Sequence, residues 1–460
     1  MLFRSPFKAR SYVILIGSYL FYSWWRVDFV AIMFFSTAWN FVLGNLIHDE
    51  KSDHRRKVYL ILAISVNLIL LFGFKYFNFF AESLSYAINS GVPFDWAMTK
   101  IILPIGISFY VFQGMSYIID IYRREIKPSR RFIDFCAFKA LFPQLIAGPV
   151  LRFADLADQF YDRTHTIQKF NYGAVRFFTG LAKKVIIADS AATIADAMFA
   201  APNPTFLESW LGALAYSIQL YFDFSGYSSM AIGLGMMMGF RFIENFDTPY
   251  ISTSITDFWK RWHISLSTWL RDYLYFPLGG NRKGALRTYL NLMLTMALGG
   301  LWHGANATFI IWGLWHGTIL ALERYMNVKT ERAFSLSSWL LTALLITIGW
   351  VIFRSENIQI AVDMLRGMAG LQGFGLRADY AWQIEYLPLS LLVLGIVIAL
   401  TEKQLRQFFG LKTTEQIAIS AKPDEIAVSG TMAITATLLG GLALIKLIAD
   451  SDTPFLYFQF

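Results

Sequence analysis

Cysteine is almost absent from this 460-residue chain, in which Cys136 stands alone. One thiol excludes an intramolecular disulfide and any metal site built from several cysteines. Its setting, Asp134-Phe135-Cys136-Ala137-Phe138, suits an inert buried thiol. Charge is scarce too, at 16% of residues against about 25% in a typical soluble domain. There is no Gly-x-Ser-x-Gly elbow, no phosphate-cradling glycine loop and no His-Glu-x-x-His pair, so three common catalytic signatures are excluded. Internal repeats, low-complexity tracts and a soluble-domain boundary are also missing, so the chain reads as one domain over residues 1–460. No A-x-A site closes the first apolar run, and no cleavable signal peptide is expected.

What the chain does have is hydrocarbon. It is 56% hydrophobic and 17% aromatic, with a mean hydropathy of +0.46. The excess is gathered into runs at 11–25, 58–74, 101–121, 339–353, 387–400 and 431–448. Several approach the ~17–25 residues that span a bilayer. So many runs cannot all hide in one soluble core, so the fold class is all-α, a polytopic integral membrane protein. We expect roughly eleven membrane helices, with further segments that enter without crossing.

The formal charge of +8 would suit nucleic acid if it formed a stripe. Instead the basic residues sit in short loops between apolar runs, which is the positive-inside pattern and argues against a nucleic-acid partner. The N-terminal basic segment, with Arg4, Lys8 and Arg10, is placed in the cytoplasm. The next inner loops carry Lys51, Arg55, Arg56 and Lys57, then Arg123, Arg124, Lys127, Arg130 and Arg131. Later inner loops fall at 281–287, 327–332 and 402–422, leaving the C-terminus at 451–460 outside. Residues 132–201 are the least regular. Phe142-Pro143-Gln144 and Ala147-Gly148-Pro149 break helices, so a re-entrant or interfacial segment is expected there. Lys183 and Lys184, amid apolar neighbours, are expected to snorkel to an interface.

Three of the six histidines, His263, His303 and His316, lie in aromatic, apolar surroundings between 256 and 317. Imidazole is suited to moving protons near neutral pH, and burying it is costly without work or a partner. The 257–273 stretch, read as one helix, puts His263, Ser267 and Arg271 on a single face and pairs Asp257 with Arg261. The alternative is an amphipathic surface helix with an incidental histidine. A helix climbing from Arg287 has about fifteen residues, roughly 22 Å, before His303. That is short of the ~30 Å hydrocarbon thickness, so His303 would lie within membrane depth, with Gly299, Gly300 and Gly304 permitting a break and close packing. A structural histidine bonded to a carbonyl is the alternative there, and the preferred reading for His316. The 40- and 13-residue separations match no compact metal motif, and no bound metal is expected.

At these residues the chain resembles the membrane-bound O-acyltransferase family. It is most similar to the bacterial branch that serves alginate and peptidoglycan O-acetylation. The resemblance rests on Phe142-Pro-Gln-Leu-Ile-Ala-Gly-Pro149, Phe222-Asp-Phe-Ser-Gly-Tyr-Ser228, and the block from Pro249-Tyr250 through Gly280-Asn281-Arg282 to His316-Gly317. The ending Tyr457-Phe458-Gln459-Phe460 also fits. Two departures are a short stretch before the basic N-terminal segment, where members often have a further apolar helix, and Ser229 where Asp is common.

The resemblance implies helices around a central tunnel, with a catalytic core over about residues 100–325. It implies acyl transfer from a cytosolic thioester, acetyl-CoA, to a hydroxyl across the inner membrane, and a periplasmic acetyltransferase partner. His303, in Leu-Trp-His-Gly, takes the place of the family's invariant histidine and His263 that of its second polar residue. Candidate donor- or substrate-binding residues are Trp262, Ser267, Arg271, Trp302, Asn306, His316, Asp223 and Gln144. Arg282, Lys283 and Arg287 are candidates for attracting an anionic donor. Alternatives keep the fold with a D-alanyl or lipid acyl cargo, or replace catalysis with glycan transport.

Overall fold

In hydrocarbon, backbone amides have no water to bond, so they must bond within the segment that carries them. The computed structural model meets this demand with helices alone among the residues it describes, which are 7–81, 101–145, 148–328, 334–419 and 426–449. The C-terminal ending and residues 146 and 147 of the Phe142–Pro149 motif lie outside these. Contacts divide the chain into two compact units, one of residues 1–166 and 238–242, the other of 167–237 and 243–460.

In the first unit, α1 (Phe7–Ser23), α2 (Val27–Asp49) and α3 (Asp53–Leu71) precede α4 (Ile107–Arg123) and α5 (Phe132–Lys139). α4 packs against α2 and α3 and buries 14 of its 17 residues, so it is an interior helix. It starts later than the apolar run at 101 because Gly106 turns the chain through the left-handed region (φ 75°). Between α2 and α3 the buried Asn40 and Asn67 amides bond each other at 2.8 and 3.2 Å. The irregular 132–160 stretch is a chain of short helices, Phe132–Lys139, Phe142–Leu145 and Phe153–Leu156.

In the second unit, no helix within 167–201 is long and apolar enough to cross a membrane. α6 (Ile167–Ala182) continues through a π turn, Lys183–Ala188, into α7 (Asp189–Phe199). Lys183 and Lys184 do not snorkel. Lys183 bonds Glu402 at 2.6 Å, and the buried Lys184 pairs with Asp189. Asp189 is five residues from Lys184, but Glu402 and Asp223 come from distant parts of the chain, which no local reading of an apolar stretch reveals.

α8 (Phe206–Met237) is central, with α6, α7 and the helices Leu336–Arg354, Ile358–Met368 and Tyr386–Phe408 packed on it. The remaining helices are α9 (Ile255–Arg261), α10 (Ile264–Leu270), α11 (Ala285–His303), α12 (Ala307–Tyr325), α13 (Leu336–Arg354), α14 (Ile358–Met368), α15 (Tyr386–Phe408) and α16 (Gly430–Ala449). α6 and α8 approach closely at glycines. A Cβ on Gly226 would meet the Gly180 carbonyl oxygen at 2.7 Å. Outer faces are apolar: Leu286, Leu290, Leu294 and Leu298, every fourth residue of α11, are all exposed. Such a stripe would be a liability in water and is an ordinary lipid-facing surface in a bilayer. Five described helices are long and apolar enough to cross, namely α2, α3 with its extension to Ala81, α13, α15 and α16. The expected total near eleven is thus larger than length and hydropathy support among the described residues.

Candidate active site

His263 does not sit in the middle of a helix. α9 ends at Arg261, Trp262 is extended (φ −100°, ψ 127°), and His263 is left-handed (φ 44°, ψ 53°) as the N-cap of α10. The Asp257–Arg261 pair forms at 3.0 Å as the spacing predicts, but the face through His263, Ser267 and Arg271 does not exist. The reason lies 18 residues upstream. The Asn245 carbonyl accepts from Ile264 N at 3.0 Å, and the Asn245 side-chain oxygen accepts from Ser265 N at 3.2 Å and Ser265 Oγ at 2.8 Å. These bonds capture the amides at the start of α10, and the chain turns sharply at His263 to let them form. Left-handed backbone at a residue with a side chain is strained and persists only when its surroundings over-determine it.

Asn245 also sets the chemistry of the ring. His263 Nδ1 lies 3.1 Å from Asn245 Oδ1. A carboxamide oxygen only accepts, so Nδ1 carries the proton and donates. Nε2 is then the lone-pair nitrogen, and it has no partner among the described residues. Burial pushes the His263 pKa down to about 3, so the ring stays neutral near pH 7.

His303 is the last residue of α11, which starts at Ala285, two residues before the expected Arg287, and runs 19 residues, about 28 Å. The helix ends at Gly304, and Gly300 lets α12 cross closely, as the glycines suggest, since a Cβ there would strike the Phe309 carbonyl. The His303 ring is edge-on to Trp302 (5.0 Å), Trp312 (5.3 Å) and Phe353 (5.3 Å). Its centroid is 6.5 Å from that of His263. Phe224 packs edge-on against His263 at 4.6 Å, and Trp302 lies 6.2 Å from it. Two imidazoles therefore share one buried aromatic cluster, a setting for proton transfer with water largely excluded.

The other candidates separate by position. Trp262 is buried against Phe258 and Trp350 beside this cluster. Ser267 Oγ donates back to the Trp262 carbonyl at 3.3 Å. Arg271 is exposed and paired with Asp272. Asn306 caps α12, accepting from Thr308 N at 3.1 Å and donating to the Glu356 carbonyl at 2.7 Å. His316 is boxed by Phe258, Trp259, Trp312 and Trp350, and neither ring nitrogen has a partner among the described residues. It bonds no carbonyl there, unlike the carbonyl-bonded structural histidine pictured for it, but it is fully buried among the four rings. Asp223 is buried 3.8 Å from Lys184. Gln144 belongs to the first unit, where it donates to the Phe138 carbonyl at 2.7 Å.

A cavity of about 480 Å³ opens between α6, α8, α15 and α16, with mostly apolar walls. It is bordered by Arg176, Lys183, Arg406 and Lys412 against Glu244 and Glu402, and Asn245 forms part of its lining. Cations therefore outnumber anions at its wall. Arg282, Lys283 and Arg287 are exposed and form none of its wall. Asn245, Ser265, Arg176 and Glu244 escaped sequence reasoning. The only local hint was Glu244-Asn245, two polar residues between Ile243 and Phe246.

Comparison with known proteins adds a second line of observation. Residues 123–362 match the model of the MBOAT, membrane-bound O-acyltransferase family. A probable alginate O-acetylase of Pseudomonas putida is 49% identical over 98% of this chain and 95% of its own. A peptidoglycan O-acetyltransferase of Helicobacter pylori is 34% identical over 99% and 92%. A teichoic acid D-alanyltransferase of Bacillus subtilis is 30% identical over 55% and 69%.

Proposed function

Because the chain belongs to the membrane-bound O-acyltransferase family and is an integral membrane O-acyltransferase, we propose that it carries acetyl groups across the bacterial inner membrane for O-acetylation of an exopolysaccharide such as alginate. The donor is a cytosolic thioester, acetyl-CoA, and a periplasmic acetyltransferase completes delivery to the polymer. The full-length similarity to an alginate O-acetylase supports acetyl over D-alanyl cargo, since the D-alanyltransferase similarity spans only about half of this chain. Basic inner loops support a cytoplasmic N-terminus and a periplasmic C-terminus.

The observation that carries the reaction is the pair of imidazoles 6.5 Å apart in a buried cluster. An acceptor hydroxyl oxygen adds to the thioester carbonyl carbon while its proton passes to His303. The carbon–sulfur bond then breaks, and the thiolate leaves with the proton that His303 returns. Ester and thiol are the products. His263, held in one tautomer by Asn245, presents Nε2 to the reacting groups. The cavity bordered by Arg176, Lys183, Arg406 and Lys412 receives the donor, with cations for its phosphates and apolar walls for its arm. Holding both reactants there supplies much of the acceleration.

Replacing His303→Ala should lower polymer acetylation by about 10²- to 10⁴-fold at unchanged protein abundance. Normal acetylation in that variant would remove His303 from the mechanism. Purified chain in liposomes, given acetyl-CoA and polymer but no second protein, should leave the polymer largely unacetylated. Complete polymer acetylation without a second protein would refute the partner.

A further inference from the structure

The two ends of the Asn245 side chain meet different surroundings. Its Oδ1 accepts from His263 Nδ1, Ser265 N and Ser265 Oγ, which fully uses a carboxamide oxygen. Its Nδ2 has no hydrogen-bond partner among the described residues, although Asn245 is 0% exposed. Exchanging oxygen and nitrogen would set an N–H against the Ser265 amide N–H, so the main chain fixes which end is which. A buried amide hydrogen left unbonded is costly. Asn245 also lines the 480 Å³ cavity, and so do Ser225 and Ser228, whose buried hydroxyls are likewise without partners among the described residues. Three residues with unused hydrogen-bonding capacity thus line one mostly apolar cavity, and one of them is the residue that orients His263. Such an arrangement fits a ligand with a polar atom inside an apolar body.

We propose that Asn245 Nδ2 receives the carbonyl oxygen of the acyl thioester and stabilises the negative charge that forms on it. The inference rests on the reading of this cavity as the donor site. As the acceptor oxygen bonds the carbonyl carbon, the electron pair of the C=O double bond moves onto oxygen, where the Nδ2–H donates. That pair returns as the carbon–sulfur bond breaks, and the thiolate departs and is protonated. One carboxamide then serves both catalytic partners, its oxygen selecting the His263 tautomer and its nitrogen holding the electrophile. An oxyanion donor of this kind contributes about 10²- to 10³-fold to turnover.

Two unreactive probes test the contact without turnover. One is the carba-analogue of acetyl-CoA, in which methylene replaces the thioester sulfur and leaves a ketone. The other is S-ethyl-CoA, which has a two-carbon unit and no carbonyl oxygen. The wild type, purified in detergent, should bind the ketone about tenfold more tightly, as one hydrogen bond allows. Asn245→Asp keeps the oxygen that faces His263 and Ser265 but loses the N–H, and should abolish the preference and lower kcat more than it raises KM. Asn245→Ala should abolish the preference too, and serves if the Asp variant does not fold. Ser265→Ala, which leaves Nδ2 in place, should keep the preference. Equal binding of both probes by the wild type overturns the carbonyl contact, as does a preference retained in both Asn245 variants, and either result leaves the donor cavity standing. A wild type that binds neither probe overturns the donor reading and this contact with it.

Discussion

Removing the charge of Glu244 should destabilise the second unit by about 3 kcal/mol, and the structure allows that figure to be reached in two ways. Arg176 grips the carboxylate with both guanidinium nitrogens, at 2.5 and 2.6 Å. Thr414 adds its amide at 2.9 Å and its hydroxyl at 2.5 Å. The two charged side chains are only 15% and 9% exposed. Taking one partner from a buried pair strands the other charge, at about 3–5 kcal/mol. Independently, burial raises the Glu244 pKa, but Arg176 and Thr414 outweigh it and hold the pKa down to about 2, from 4.5. At about 1.4 kcal/mol per unit, that depression is also worth roughly 3 kcal/mol.

The sign follows from linkage. A depressed carboxylate contributes fully above its unfolded pKa, so the stabilisation is complete above pH 4.5 and lost as pH falls toward 2. Thermal unfolding of Glu244→Gln in detergent at pH 7 should show the loss, and the wild-type-to-variant gap should shrink below pH 4. Arg176→Met should be similarly damaging alone, while the double variant should be less destabilised than the sum of the two. Because Glu244 precedes Asn245, turnover should fall along with stability. A Glu244→Gln protein that melts like the wild type, or strictly additive effects in the cycle, would refute the pairing as the source of the energy.

Two further outcomes separate structural from chemical residues. His316→Phe keeps a ring in a cage of four aromatics and removes two unbonded nitrogens, so activity should remain near wild type, with stability within about 1.5 kcal/mol. Loss of transfer in a folded His316→Phe protein would return His316 to the reaction. Asn306→Ala removes the cap of α12 and should cost about 1 kcal/mol of stability with kcat unchanged. A kcat falling tenfold or more at unchanged melting temperature would instead place Asn306 at the substrate.

Much of the scaffold was legible along the chain. The apolar runs at 339–353, 387–400 and 431–448 became α13, α15 and α16, because hydropathy and helix length are properties of neighbouring residues. Residues 167–199 were not legible, since Lys183 and Lys184 look unfit for a buried helix until Glu402 and Asp189 neutralise them. The reading of 257–273 as one helix failed for a related reason. Periodicity counts side chains on a cylinder, whereas Asn245 competes for the amides at 264 and 265 and bends the chain at His263.

The order of residues alone determined a helical membrane protein with uncommon histidines in its aromatic stretch, because partitioning into lipid depends on composition over a span. It also singled out His303 within Leu-Trp-His-Gly. Tertiary structure decided that His263 and His303 meet in one cluster, that His263 carries its proton on Nδ1, and that Asn245 stands between the ring and a cavity. Those outcomes depend on directional bonds and close contacts between residues 18 and 40 positions apart, from Asn245 to His263 and from His263 to His303. Only the packed chain brings such groups within reach of one another.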